Sequence, residues 1–433
     1  MNIAYISADF GVPVFGYKGA SIHVREMVTA LQKAGHSLRV FSPAIEDGKK
    51  DVERGGDGEK RASTFSSLMS GEDRLYVSCF PVSPPERHLL LFKELELLDK
   101  FMGMKTRIRQ ELRNLLYNLV LYERTIEDLR AWRPDFIYER YALFNFAGIR
   151  LARELGVPHI LEVNAPLSYE QEKMRGLEMK ELARETERRI FQESDRVIVV
   201  SRQLQEFVAS CGVPESRIHV LPNAVDPQRF AAVRDGAKVR AQHQLDNKCV
   251  VGFVGSLKPW HGTETLIEAF RGLHERVAHT HLLIVGDGPA RENLEKVAQA
   301  NGLNGAVTFT GNVPYDDIPC YIAAMDITVA PYIPHENFYY SPIKLFEYMI
   351  MGKPVVAGKI GQVEELITDN ETGVLFEPGN VAQLTNALAL LANDSQRRQR
   401  LGETARAWVQ KERTWDNNAQ RVIEILRGCI HSK

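Results

Sequence analysis

Twice along this chain a series of short apolar strands alternates with amphipathic helices, and few folds accept that pattern. The first series opens on NIAYIS, followed by HVREMVTALQKAG, which has helical spacing and ends at Gly35, and by LRVFSP. It continues through DFIYE, AGIRLARELG, HILEV, a charged helical stretch from Tyr169 to Glu193, and RVIVVS. The second series begins after LPNAVDPQRF, Leu221 to Phe230, with VVGFVGS and a helix from Thr263 to about Glu275. HLLIVGDGP, ARENLEKVAQANG, VTFTG, IPCYIAAM, DITVAPY, KLFEYMIMG and PVVAG carry it on. A strand returning parallel to its neighbour needs a helical crossover, so such a series predicts a parallel sheet with helices on both faces.

The chain has 433 residues, too many for one ordinary core. The expected class is therefore α/β, with two successive doubly wound halves. Pro222, Asn223 and Pro227 break the regularity between the two series. They place an N-terminal domain at 1–226, a C-terminal domain at 227–412 and a final helical segment at 413–433, expected to pack back on the first domain. Two stretches interrupt the order. Residues 46–73, with ERGGDGEKR, have the composition of a mobile loop. Residues 86–131 are leucine-rich amphipathic helix, expected to cover the first core. Basic residues beside its apolar faces (Lys105, Arg107, Arg109, Arg113) allow a second reading, contact with an acceptor or a membrane surface.

The formal charge of −2 gives no global field for nucleic acid. Five scattered cysteines form no CxxC pair, which argues against a zinc ribbon or a disulfide framework and for a reducing compartment. No apolar run approaches the roughly 20 residues that span a bilayer. MNIAYISADF reads as a first strand, not a leader. The expectation is a cytoplasmic protein, at most peripheral at the inner face of the membrane.

The most informative segment is SPIKLFEYMIMGKPVVA, Ser341 to Ala357. Pro342 suits the first turn of a helix. A helix starting there would aim the amides of Ile343 and Lys344 out of its end, where donors and dipole attract phosphate. Glu347, one turn on, lies near the same face and could accept hydrogen bonds from a ribose diol. The plainer reading is a Lys344–Glu347 pair on an exposed helix.

The surroundings favour the first reading. KLFEYMIMGKPVVAGKIGQVEELITDNETGVLFEPGN resembles the nucleotide-sugar motif of family 4 retaining glycosyltransferases, whose GT-B architecture sets two Rossmann-like domains across a cleft. Glu347 matches the second glutamate of that family's Glu-x7-Glu pair. Tyr339 stands at the first, so the segment resembles the "SPxKLFEYM" variant instead, and Glu336 is the nearby carboxylate. VGSLKPWHG resembles the family's GRxxxxKG loop, with Ser256 at the arginine position and His261 at the lysine position. The resemblance implies a cation on the diphosphate there, and Lys258 is the expected one. GDGP lacks the third glycine of a dinucleotide loop and resembles the family's GxGP turn, with Gly286 and Gly288 as turn glycines. TFTGNVPYDDIPCYIAAMDITVAPY also fits, implying that the backbone of Gly311, Asn312 and Val313 faces the base.

In the first domain, GYKGAS resembles the family's glycine-containing first loop. Gly19 and Ala20 are the implied donor positions, and Lys18 is a further cation. His23 reads as an ordinary packed or exposed helical histidine. Many family members carry a histidine near residue 138; PDFIYERYALF has none. Glu162 and Asn164 end the strand HILEV, so Glu162, or Glu139, is the expected group to orient an acceptor hydroxyl. The plainer reading of each is a buried carboxylate paired with an arginine such as Arg140.

The resemblance implies transfer of a hexose-type sugar, with retention, from a nucleotide diphosphate sugar to a saccharide or lipid-linked acceptor in polysaccharide or glycolipid synthesis. No Asp-x-Asp pair suggests a metal clamp, and no cofactor is expected. The alternatives are a sugar-nucleotide 2-epimerase of the same architecture, and a nucleotide-sugar-binding protein without catalysis. A dinucleotide-dependent oxidoreductase fits least.

Overall fold

The structure is a computed structural model that describes residues 1–16, 18–45, 63–66, 76–231, 235–335 and 337–430. Most of the loop read at 46–73, and Glu336, lie outside the described residues. The chain divides into two compact units, Met1–Pro222 with Trp415–Lys433, and Asn223–Thr414. These divisions fall a few residues from those read off the sequence, because local bonds extend the second unit. Asn223 donates its amide to Ser341 Oγ (2.8 Å), and Val225 donates to the Arg413 carbonyl (3.1 Å).

The first unit holds β1 (Asn2–Ser7), β2 (Ser37–Ser42), β3 (Ser63–Ser66), β4 (Tyr76–Pro81), β5 (Phe136–Arg140), β6 (His159–Val163), β7 (Arg196–Val199) and β8 (Ile218–Val220). Their order is β3-β4-β2-β1-β5-β6-β7-β8, parallel except where β3 runs against β4. β1 pairs Ile3 with Leu38 on one side and with Phe136 on the other. Ile3, Ala4, Tyr5 and Ile6 are fully buried, as expected for a central strand covered on both faces.

The 86–131 segment forms two helices with different roles. Ile108–Trp132 places Tyr117, Val120, Leu121, Ile126 and Leu129 in the core. Glu86–Met102 buries only His88 and Phe92, and leaves Leu90, Leu97 and Phe101 exposed. The sequence reading of one core-covering segment therefore holds for the second helix and not for the first. The final helix, Trp415–Ile430, packs on Gly19–Lys33.

The second unit holds β9 (Cys249–Val254), β10 (Thr280–Val285), β11 (Val307–Phe309), β12 (Ile327–Ala330), β13 (Val355–Gly358) and β14 (Val374–Phe376). All pairings are parallel, in the order β11-β10-β9-β12-β13-β14. This is the doubly wound order in which the direction of winding reverses between the first and fourth strands. Here the reversal lies between β9 and β12, and ligands of open α/β sheets bind at the carboxyl ends of such a pair. Apolar clusters fill both faces of the sheet.

Candidate functional site

The carboxyl ends of β9 and β12 converge on the amino end of one helix, Ile343–Ile350. Pro342 is its N-cap, one place earlier than the first-turn position read from the sequence. Its fixed φ still suits the entry, and Leu345 donates to the Pro342 carbonyl (3.1 Å). The amides of Ile343 and Lys344 precede the first helical acceptor, so the helix itself leaves them unbonded.

The helix is held at both ends. Asn223 donates its amide to Ser341 Oγ and its Nδ2 to the Ser341 carbonyl (2.6 Å). Arg406 donates Nε to the Ile350 carbonyl (3.0 Å) and Nη2 to that of Met351 (2.8 Å). A cation there complements the negative end of the helix dipole. The Tyr348 hydroxyl accepts from the Val254 amide at 2.7 Å, which ties the helix to the end of β9.

The exposed ion pair that formed the plainer reading is not what the structure contains. Glu347 is 4% exposed, and Tyr315 donates its hydroxyl to Glu347 Oε1 at 3.0 Å. Lys344 Nζ is shielded from solvent and has no hydrogen-bond partner among the described residues. It sits 4.1 Å from the ring centre of Phe253 and 5.8 Å from that of Tyr332. These rings flank it from the last turns of β9 and of the segment after β12. Burial pulls the Lys344 ammonium down to a pKa of about 7, with Glu347 opposing the shift. A buried cation with no hydrogen-bonded anion among the described residues is costly, and such groups mark functional sites.

Glycines let the surrounding turns approach this point. A Cβ on Gly255 would lie 2.5 Å from Lys344 Nζ. Gly286 has φ +130°, and a Cβ there would meet the Gly255 carbonyl at 2.1 Å. Gly286 also donates its amide to the Gly311 carbonyl (3.0 Å). The turns after β9, β10 and β11 are thereby stacked, bringing Gly255, Gly286 and Gly311 together. Gly286→Ala is expected to cost about 3 kcal/mol or more, through clash and a left-handed backbone. Chemical denaturation checks this; a cost below about 1 kcal/mol would show that the turns can separate.

The remaining donor candidates behave unequally. Ser256 is exposed, and its carbonyl accepts from His261 Nδ1 at 2.6 Å. That bond makes Nδ1 the protonated nitrogen of the neutral ring. Burial first, and then the Lys344 charge, lower His261 to about 3. His261 is therefore a neutral ring with no proton on Nε2, so it does not supply the positive charge expected at the lysine position. Lys258 Nζ lies 4.9 Å from the Trp260 ring centre. Asn312 is exposed and Val313 half-buried beside Gly311. Tyr339 is buried in an aromatic group with Tyr340 (centroids 4.3 Å apart), which also contains Phe338 and Tyr332. An aromatic wall thus stands where the family resemblance places a carboxylate.

In the first unit, Gly19 opens the Gly19–Lys33 helix, and a Cβ there would meet nothing within 4 Å. Ala20 follows it, half-buried. The crowded glycine of this loop is Gly16, where a Cβ would lie 2.6 Å from Ser21 Oγ. Glu162 differs from its expected role. It is 1% exposed, and its carboxylate is occupied by His23 Nε2 (2.8 Å), Arg140 Nη1 (3.0 Å), the Tyr138 hydroxyl (2.5 Å) and Asn164 Nδ2 (2.5 Å). Burial favours its protonation, but His23, Arg140 and Tyr138 outweigh that and hold it at about 2. Glu162 is the hub of a buried network, not a group presented to an acceptor hydroxyl. Glu139 is likewise enclosed, 2.8 Å from His159 Nε2.

Sequence reasoning missed Tyr315, Phe253, Tyr332, Asn223 and the His23–Glu162 pair. Each acts through a partner far away in the chain. Only the Gly-Asn-Val-Pro-Tyr run carried a signal for Tyr315, by following the loop assigned to the base.

Comparison with known proteins bears on the family and the fold. The family pattern described as Glycosyl transferases group 1 matches residues 235–408, and Glycosyltransferase Family 4 matches residues 17–229. The chain is 32% identical over 262 residues to a GDP-mannose-dependent alpha-(1-6)-phosphatidylinositol monomannoside mannosyltransferase of Mycobacterium tuberculosis, covering 58% of this chain and 67% of that one. It is 29% identical over 260 residues to the alpha-D-kanosaminyltransferase of Streptomyces kanamyceticus, covering 59% and 66%. Among solved structures, the sucrose-phosphate synthase of Thermosynechococcus elongatus matches with a TM-score of 0.68 at 21% identity, over 100% of both chains. The Anabaena protein HepE in complex with UDP matches at 0.70 and 20% identity, over 99% of this chain and 100% of that one. At those identities the structures speak for the fold alone, and the fold is GT-B. With both halves matched in sequence pattern and a mannosyltransferase related over two thirds of its length, the chain belongs to the group 1 glycosyltransferases.

Proposed function

We propose that this glycosyltransferase uses a nucleotide diphosphate hexose, and that the second unit holds the donor through the Ile343–Ile350 helix. The observation that carries the reading is the buried Lys344 ammonium, which has no hydrogen-bonded anion among the described residues, at the amino end of that helix and at the winding reversal of the sheet. A diphosphate would receive the amides of Ile343 and Lys344, the Lys344 ammonium and Lys258. Glu347 would accept from the ribose diol, while the backbone of Gly311, Asn312 and Val313 borders the base. Ser341 and Pro342 set the entry of the helix, and Gly286 keeps the floor low. The helix belongs to the "SPxKLFEYM" variant, in which Lys344 supplies charge that His261 does not.

In the reaction, the bond from the anomeric carbon to the β-phosphate oxygen breaks and a bond to the acceptor oxygen forms on the same face. The acceptor proton passes to the departing phosphate oxygen. Lys344, Lys258 and the helix amides meet the growing charge without a metal ion. The acceptor is a saccharide or a lipid-linked saccharide, in glycolipid or polysaccharide synthesis. Peripheral contact with a membrane surface is supported by Leu90, Leu97 and Phe101, which face solvent from one helix. No helix among the described residues is long and apolar enough to cross a membrane.

The related mannosyltransferase makes GDP-mannose the first donor to test, beside UDP-glucose. Incubation of either with lipid-linked acceptors in the presence of EDTA is expected to give product, with the anomeric configuration of the donor preserved by NMR. Inversion would refute the stereochemistry, and loss of turnover with EDTA the metal independence. Stabilisation by neither GDP nor UDP would refute the donor site itself.

A further inference from the structure

Glu347 is buried, and one of its carboxylate oxygens accepts a hydrogen bond from a residue of another element. Tyr315 opens the short turn Tyr315–Asp317, which follows the Gly311–Val313 loop, and its hydroxyl donates to Glu347 Oε1 at 3.0 Å. The Tyr315 ring is itself fixed. The Arg229 guanidinium lies 5.3 Å from its centre, and the Phe230 ring meets it at an angle of 71° with centroids 6.3 Å apart. Arg229 also pairs with Asp316, the next residue of the same turn. The attraction of a guanidinium for a ring face helps hold the ring where it is.

These contacts are more than local packing. The Tyr315 turn and the Ile343–Ile350 helix are separate elements, and their hydrogen bond couples the proposed base-bordering loop to the carboxylate. A carboxylate can accept in several directions. A donor fixed on one oxygen selects its rotamer and so defines where a diol can approach. We infer that Tyr315 is a positioning residue, whose hydroxyl sets the Glu347 carboxylate for the ribose diol and thereby gives the site its preference for ribonucleotide over deoxyribonucleotide donors. This rests on the proposal that Glu347 binds the ribose. Nothing else about Tyr315 needs to touch the sugar for the effect to appear.

The test compares GDP with 2′-deoxy-GDP, and UDP with 2′-deoxy-UDP, by calorimetry on the wild-type protein and on Tyr315→Phe. Wild type is expected to bind the ribonucleotide at least about tenfold more tightly. Tyr315→Phe is expected to reduce that ratio to below about threefold, with a melting temperature close to wild type because the ring and its packing remain. A ratio unchanged in Tyr315→Phe would overturn the positioning role and leave the ribose assignment of Glu347 intact. If wild type itself does not distinguish the two sugars, the ribose assignment fails and the inference falls with it. Equal weakening of ribo- and deoxyribonucleotide by the substitution would mark Tyr315 as merely structural, and would also overturn it. Glu347→Gln serves as the reference for full loss of the ratio.

Discussion

Lys344→Met is expected to make the unliganded protein more stable and the donor site nearly empty. The ammonium is buried against Phe253 and Tyr332 and finds no hydrogen-bond acceptor among the described residues. An uncompensated polar group costs about 1–3 kcal/mol, and a charged one more. Methionine keeps the stem volume and removes that cost, so a thermal melt should rise by several degrees. The same change removes the ionic contact proposed for the diphosphate, which is expected to weaken GDP or UDP by on the order of 100-fold. Opposite signs for stability and binding separate a functional lysine from a structural one. A variant that melts lower would show that Lys344 is compensated in the fold.

The protonation of Lys344 carries a second signature. Its folded pKa is about 7, below the ordinary lysine value of 10.5. Between these values the unfolded chain binds more protons than the folded one, so stability rises with pH through that window. The cost is fully present below about pH 7 and fades towards 10.5. Diphosphate prefers the charged form, so above about pH 7 binding takes up a proton. The apparent Kd for GDP or UDP then rises about tenfold per pH unit, until the pKa of the complex is reached. His261 titrates near 3, outside the window, and the Tyr332 phenol is pushed above its usual range. A profile flat in wild type would refute the assignment; Lys344→Met should be the flat one.

Glu162→Gln is expected to destabilise the first unit by about 3–5 kcal/mol, the cost of breaking a buried ionic network from one side. It leaves Arg140 and His23 without their shared carboxylate. The native group is held at about 2 against an ordinary 4.5. Its contribution is present above about pH 4.5 and lost as pH falls from there to 2, so wild type should show an acid limb in that range that the variant lacks. Denaturant midpoints at pH 7 and pH 3 test both statements. A loss near zero at pH 7 would return Glu162 to the list of groups available to an acceptor.

The fold class was legible because its signal is local. Apolar runs such as VVGFVGS and HLLIVGDGP, each followed by helical spacing, report a buried parallel strand and its crossover wherever they occur. The Ile343–Ile350 helix was legible for the same reason, since a proline at its entry and an apolar-periodic run after it lie within a few positions. The state of its charges was not. Whether Lys344 meets an anion depends on Phe253 and Tyr332, which arrive from β9 and from the segment after β12. Whether Glu162 is presented or enclosed depends on His23, which reads as an unremarkable helical residue. Tyr339 shows the converse case. Its identity announces a departure from the usual motif, and only the neighbouring rings of Phe338 and Tyr340 explain how the space is filled.

The divisions at 222/223 and 414/415 have a consequence for how such a chain can be built. In the second unit, Val225 bridges to Thr414, so entry and exit lie side by side. In the first, Asn418 Nδ2 donates to the Pro222 carbonyl at 2.8 Å, so the two cut ends are neighbours there as well. The Asn223–Thr414 unit is thus an insertion with adjoining ends. Each unit therefore has its two ends close together, the geometry that an exchange of one unit or a short splice across the other would require.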